Sequence, residues 1–146
     1  MSGKLPVLIS ACLMGEPCRF DGQGKLQADL LQRLEDRILI PVCPEVEGGL
    51  PIPRPPAEIV GTSVIRQNGD DVTTEFEAGS QKCTETALIN DVSFAILKSR
   101  SPACGCGQVY DGTFSKTLVE GDGIFTQSLK NAGFDCISDE QYLIHK

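Results

Sequence analysis

Pro6-Val7-Leu8-Ile9-Ser10-Ala11-Cys12 is a short, unbroken apolar run that stops on a cysteine. A run of this length with β-branched residues reads as a strand buried on both faces, and such strands belong to parallel sheets covered by helices. The pattern returns twice. Residues 37–42 are apolar on both faces, are expected to be a central parallel strand, and stop at Cys43. Residues 94–97 form the next strand, and Ser101-Pro102-Ala103-Cys104-Gly105 follows it. In an open α/β sheet the carboxyl ends of neighbouring parallel strands share one crevice, where ligands bind. Three thiols far apart in sequence are thereby brought toward one point.

The rest of the chain supplies the helices. Leu30, Leu31 and Leu34 make an apolar stripe over 28–36. Thr74-x-x-Glu77 is a capping-box signature, and Phe76, Gly79, Cys83 and Ala87 continue it as a helix to about residue 90. Residues 123–132 are a further helix ending near Gly133, and 135–137 a last short strand. Residues 63–67 with the turn Asn68-Gly69 read as a hairpin or as a strand leading into a helix. Five prolines and Gly48-Gly49 make 44–56 a stiff, extended loop, and 98–112 is a second special loop. The expected fold is α/β: a single three-layer domain over 1–146, with a mostly parallel, Rossmann-like sheet flanked by helices.

At 146 residues the chain can bury about 68–70% of its unfolded surface and needs no disulfides to fold. Seven cysteines, an odd number, are too sparse for a secreted scaffold. With no secretory leader pattern and no long apolar stretch, the expected setting is the reducing cytoplasm, without a membrane. A net charge of −7 argues against long DNA or RNA as a partner. Arg19, Arg54, Lys98 and Arg100 nevertheless fall near the cysteine motifs, where local cations can meet a small ligand.

The lone histidine, His145, is expected in a frayed tail, so a Cys–His nucleophile has no base. There is no Cys-x-x-Cys, which weakens both a thioredoxin-like site and a zinc ribbon; Cys104-x-Cys106 is the close pair. An iron–sulfur cluster fits the 12…43…104 spacing better, since three thiolates leave one iron open to an outside ligand. Unligated buried cysteine is the competing reading, and it is the expected one for Cys83 and Cys136. Cys106 and Cys18 are alternate ligands. Glu45, two residues past Cys43, can face the crevice and, near apolar walls, move protons at near-neutral pH. The hydroxyl of Ser101, or the amides beside it, can hold a polar substrate atom.

Ser10-Ala11-Cys12-Leu13-Met14-Gly15, Pro41-Val42-Cys43-Pro44-Glu45-Val46-Glu47-Gly48-Gly49-Leu50-Pro51, Arg54-Pro55-Pro56-Ala57-Glu58, Lys98-Ser99-Arg100-Ser101-Pro102-Ala103-Cys104-Gly105 and Tyr110-Asp111-Gly112-Thr113-Phe114 together resemble the thiouracil desulfurase family. The resemblance implies a [4Fe–4S] cluster on Cys12, Cys43 and Cys104, an acid–base carboxylate at Glu45 and a functional serine at Ser101. It also implies a non-redox reaction on a thiolated pyrimidine base or nucleotide, C=S becoming C=O with release of sulfide. Iron–sulfur assembly proteins are the implied partners. The alternative function is a non-catalytic iron–sulfur or zinc-binding accessory or sensor protein. A metal-free nucleotide-binding domain is disfavoured, because no phosphate-binding glycine motif follows a strand.

Overall fold

In the computed structural model, which describes residues 5–145, the opening apolar run is strand β1 (Pro6–Ser10). A 3-10 turn (Ala11–Met14) leads to α1 (Ala28–Arg33), β2 (Ile38–Val42) and α2 (Pro44–Glu47). The hairpin β3 (Ala57–Val60) and β4 (Ser63–Arg66) precedes the long helix α3 (Thr73–Ile89) and β5 (Ala95–Leu97). A second hairpin, β6 (Gln108–Tyr110) and β7 (Leu118–Glu120), is followed by α4 (Ile124–Asn131), β8 (Cys136–Ser138) and α5 (Asp139–His145).

The central sheet is parallel throughout, in the order β2-β1-β5-β8. The chain runs from β1 outward to β2, then crosses to β5 on the other side of β1. The order therefore reverses between β1 and β5, which opens the crevice at their carboxyl ends. Ser10 Oγ accepts the Lys98 N–H at 2.9 Å and ties the two strand ends together.

Side-chain alternation builds the two outer layers. Val7, Ile9 and Ile96 pack with Leu30, Leu34 and Tyr142 on the face covered by α1 and α5. Leu8, Ala95 and Leu97 pack with Phe76, Cys83, Ala87, Phe125 and Leu129 on the face covered by α3 and α4. Phe76 and Phe125 are fully buried, and burying each contributes roughly 1.5–3 kcal/mol. The three-layer α/β expectation is met.

Several local expectations are corrected. Strand β2 is parallel but lies at the sheet edge, with Ile38 exposed; Pro41, which lacks an N–H, suits an edge strand. The stretch 44–56 is not wholly extended, since it starts with α2, whose first residue is Pro44, where a missing amide costs nothing. The first hairpin turns at Gly61, with φ +66°, while Asn68-Gly69 makes a second turn back toward α3. No capping box forms there: Asp71 Oδ1 accepts the Thr73 N–H at 2.9 Å instead. The loop 98–112 contains β6, and the tail is the helix α5 rather than frayed chain; His145 is its last residue, and that side chain lies outside the described residues. No helix among the described residues is long and apolar enough to cross a membrane.

Candidate metal centre and active site

The carboxyl ends of β1, β2 and β5 open into a cavity of about 610 Å³, lined among others by Cys12, Cys18, Cys43, Cys104, Glu45 and Ser101. That volume is within the range of small-molecule sites.

Each cysteine is held by its own turn. Cys12 is in the 3-10 turn after β1, and its carbonyl accepts amides from Lys25 (2.7 Å) and Gly15 (3.0 Å). Cys43 caps α2, and its carbonyl accepts the Glu47 N–H at 2.9 Å. This turn lies so close to α3 that a Cβ on Gly79 would stand 1.7 Å from the Pro44 oxygen. Only glycine permits that approach. Cys104 sits in a turn closed by Ser101, whose Oγ accepts the Ala103 and Cys104 amides, each at 3.1 Å. Thr126 Oγ1 donates to the Cys104 carbonyl at 3.0 Å, and a Cβ on Gly123 would fall 2.3 Å from the Ala103 oxygen.

Cys18 neighbours the Cys12 and Cys43 thiols, and Cys43 Sγ donates to its carbonyl at 3.7 Å. Its hydrogen bond with Cys12, together with burial, pushes its thiol up to about 11. The hydrogen bond with Cys18, then burial, pushes Cys43 up, and burial above all pushes Cys104 well above the ordinary thiol range. Such thiols stay protonated until a cation compensates the sulfur charge, so metal loading here releases protons. Among the described residues the metal-ligating side chains grouped at the strand ends are soft sulfur. Among the described residues no three His, Cys, Asp or Glu side chains close around a single ion. Thiols on separate loops suit a cluster in which each sulfur takes a different iron better than a compact zinc site. The residues present fit an iron–sulfur cluster.

Glu45 is half-buried and does not face apolar walls alone. Arg54 Nε donates to its Oε1 at 2.9 Å, and the same guanidinium reaches the Pro51 (3.0 Å) and Cys18 (2.8 Å) carbonyls. Arg54 is buried, so this ion pair fixes the carboxylate within the wall. Ser101 spends its oxygen on its own turn; the neighbouring amides are thereby occupied, and its O–H hydrogen is the group left for a ligand. Cys106 is outside the cavity lining, its thiol donating to the Cys136 carbonyl at 3.4 Å, and Cys83 is packed in the core.

Three wall residues escaped the sequence reading. Asp139 is fully buried and accepts the Ser99 N–H at 2.8 Å and Gln27 Nε2 at 3.3 Å. Glu58 accepts the Gly112 (2.9 Å) and Phe114 (3.2 Å) amides and pins the loop after β6. Ser10 touches the Cys104 sulfur. Only the last carried a signal, its place at the strand end beside Cys12.

The profile of the 2-thiouracil desulfurase family matches residues 7–141, nearly all of this cavity's wall. The chain belongs to the 2-thiouracil desulfurase family. Among curated proteins it is 34% identical over 145 residues to Uncharacterized protein YbbK of Bacillus subtilis (strain 168), covering 92% of this chain and 96% of that protein. Among solved structures it is similar to the [4Fe-4S]-dependent thiouracil desulfidase TudS, with a TM-score of 0.88 and 42% identity over 94% of this chain and 93% of that one. As a family member, the chain shares with TudS the parallel sheet and its flanking helices across almost its whole length.

Proposed function

We propose that this protein is a [4Fe–4S]-dependent desulfurase that converts the thiocarbonyl of a 2-thiouracil-like pyrimidine into a carbonyl and releases sulfide. The observation that carries the reading is one crevice holding four thiols, Glu45 and Ser101 in a chain 42% identical to a thiouracil desulfidase. Cys12, Cys43 and Cys104 hold the cluster. When bound, the cluster supplies a Lewis-acidic iron for the soft sulfur of the substrate.

The remaining steps belong to the chain. The Glu45 carboxylate, held by Arg54, takes a proton from the water that attacks the ring carbon. The Ser101 hydroxyl, fixed by its two amide contacts, donates its hydrogen to a polar atom of the base. Water supplies the new carbonyl oxygen, sulfur leaves as sulfide, and no electron is gained or lost. Iron–sulfur assembly proteins are the partners that such a site requires, and a reducing cytoplasm suits seven free cysteines. The substrate is a free small molecule rather than long nucleic acid, in keeping with the net charge of −7.

The position of Cys18 favours one rival: a cluster closed by a fourth thiolate, as in an accessory or sensor protein. Anaerobic reconstitution followed by sulfide release from 2-thiouracil separates the two. The desulfurase releases sulfide as wild type and as Cys18→Ala. A protein that loads iron yet releases none is the binding protein, and a protein that takes up no iron sinks both readings.

A further inference from the structure

Four cations near the cysteine motifs line the cavity, and three of them are already spent. Arg54 is paired with Glu45 at 2.9 Å, Arg100 with Glu140 at 2.6 Å, and Arg19 with Asp21 at 3.8 Å. Lys98 has no carboxylate partner among the described residues. Among the described residues its ammonium makes two long contacts, both at 3.3 Å and both to Ser99, its own neighbour. The acids in the wall are committed elsewhere: Glu45 to Arg54, Glu140 to Arg100, Asp139 to the Ser99 amide and Gln27, and Glu58 to the Gly112 and Phe114 amides. A half-buried ammonium without a counter-charge is a costly arrangement unless a ligand completes it.

Its place in the fold says which part of a ligand it meets. Lys98 directly follows β5, and its N–H is bonded to Ser10 Oγ, whose hydroxyl touches the Cys104 sulfur. It is three residues before Ser101. Lys25 and Lys116, the other lining lysines, are exposed. Lys98 therefore belongs to the strand-end wall that carries the thiols.

We propose that Lys98 is a catalytic residue that donates a hydrogen bond to the ring carbonyl oxygen of the thiolated pyrimidine, the oxygen on the carbon that does not bear sulfur. The inference rests on the desulfurase reading above. An ammonium fixed at that oxygen draws electron density through the conjugated ring away from the carbon under attack, and stabilises charge that collects on the ring. No bond to Lys98 forms or breaks.

The test compares Lys98→Met and Lys98→Gln with wild type on 2-thiouracil and on pyrimidine-2-thione, which keeps the thiocarbonyl but lacks the ring oxygen. Lys98→Gln, which keeps a polar end without the charge, carries the comparison if the methionine variant fails to fold. The expected result is a loss of at least about tenfold in kcat/KM on 2-thiouracil and less than about twofold on pyrimidine-2-thione, with Lys98→Arg recovering part of the loss. Uracil binding by the cluster-loaded protein, measured by calorimetry, weakens by a similar factor. Equal losses on both substrates, or none, overturn the proposal, because a merely structural role does not distinguish the two rings. If wild type releases sulfide from neither substrate, the desulfurase reading fails; uracil binding unchanged by the substitution then overturns the role of Lys98 separately.

Discussion

The seven cysteines fall into two groups that differ in nothing but where the fold puts them. Cys12, Cys18, Cys43 and Cys104 line the crevice at the carboxyl ends of the parallel strands, held by backbone turns that aim them at one space. Cys83 is packed in the core behind the Cys43 turn, outside the lining, and Cys106 and Cys136 lie away from the crevice; in such places a thiol is a small apolar side chain. Both groups include thiols pushed upward by burial, so a perturbed thiol alone does not mark a site. Convergence marks it.

The largest effect expected from breaking this contrast is on cluster content. Replacing Cys12, Cys43 or Cys104 with alanine abolishes stable cluster binding, read as loss of iron and visible absorption after anaerobic reconstitution. Cys83→Ala keeps its iron and loses only roughly 1–2 kcal/mol of stability from a small core cavity. Next in size is Glu45→Gln, which keeps the cluster but lowers kcat by about 10²–10⁴, as expected for loss of a proton-transfer group; sulfide release under saturating substrate measures it.

Much of this site was legible before the fold. A cysteine after a buried apolar run is informative because parallel strands all end on the same side, so 12, 43 and 104 converge whatever the strand order. The order itself was not legible, nor was the edge position of β2, since an apolar run looks alike beside one neighbour or two. The hairpin β6–β7 was missed because its strands are three residues long, and α5 because only a few residues remain after β8. Arg54 was flagged as a cation near a ligand, yet its partner is Glu45. The bend of the proline-rich loop that folds it back nine residues is set by tertiary contacts to the Pro51 and Cys18 carbonyls.

A third prediction sharpens the role of the scaffold. Gly79→Ala places a methyl group on the Pro44 oxygen, so the turn carrying Cys43 and Glu45 must shift. A loss of about 1–3 kcal/mol in denaturant titration is expected, together with reduced sulfide release. Glu85→Ala, exposed on the same helix, should change both very little.

The smallest effect concerns the loop across the cavity. Hydrogen bonds from the Thr113 hydroxyl and then the Thr113 amide hold the Asp111 carboxyl below its ordinary value of 3.8. Its contribution is present above that value and is lost as pH falls through the lower folded one. The stability difference between wild type and Asp111→Asn, measured by denaturant midpoint, should therefore shrink between neutral pH and about pH 3. A constant difference would remove Asp111 from that balance.

If convergence at the crevice, and not cysteine content, makes the metal centre, two cysteines two residues apart must differ in iron loading. Iron and acid-labile sulfide counted in anaerobically reconstituted Cys104→Ser and Cys106→Ser proteins test it most directly. About four irons per chain are expected in Cys106→Ser, as in wild type, with a collapse of both iron and sulfide in Cys104→Ser. The reverse pattern, or equal loading of the two variants, would contradict it.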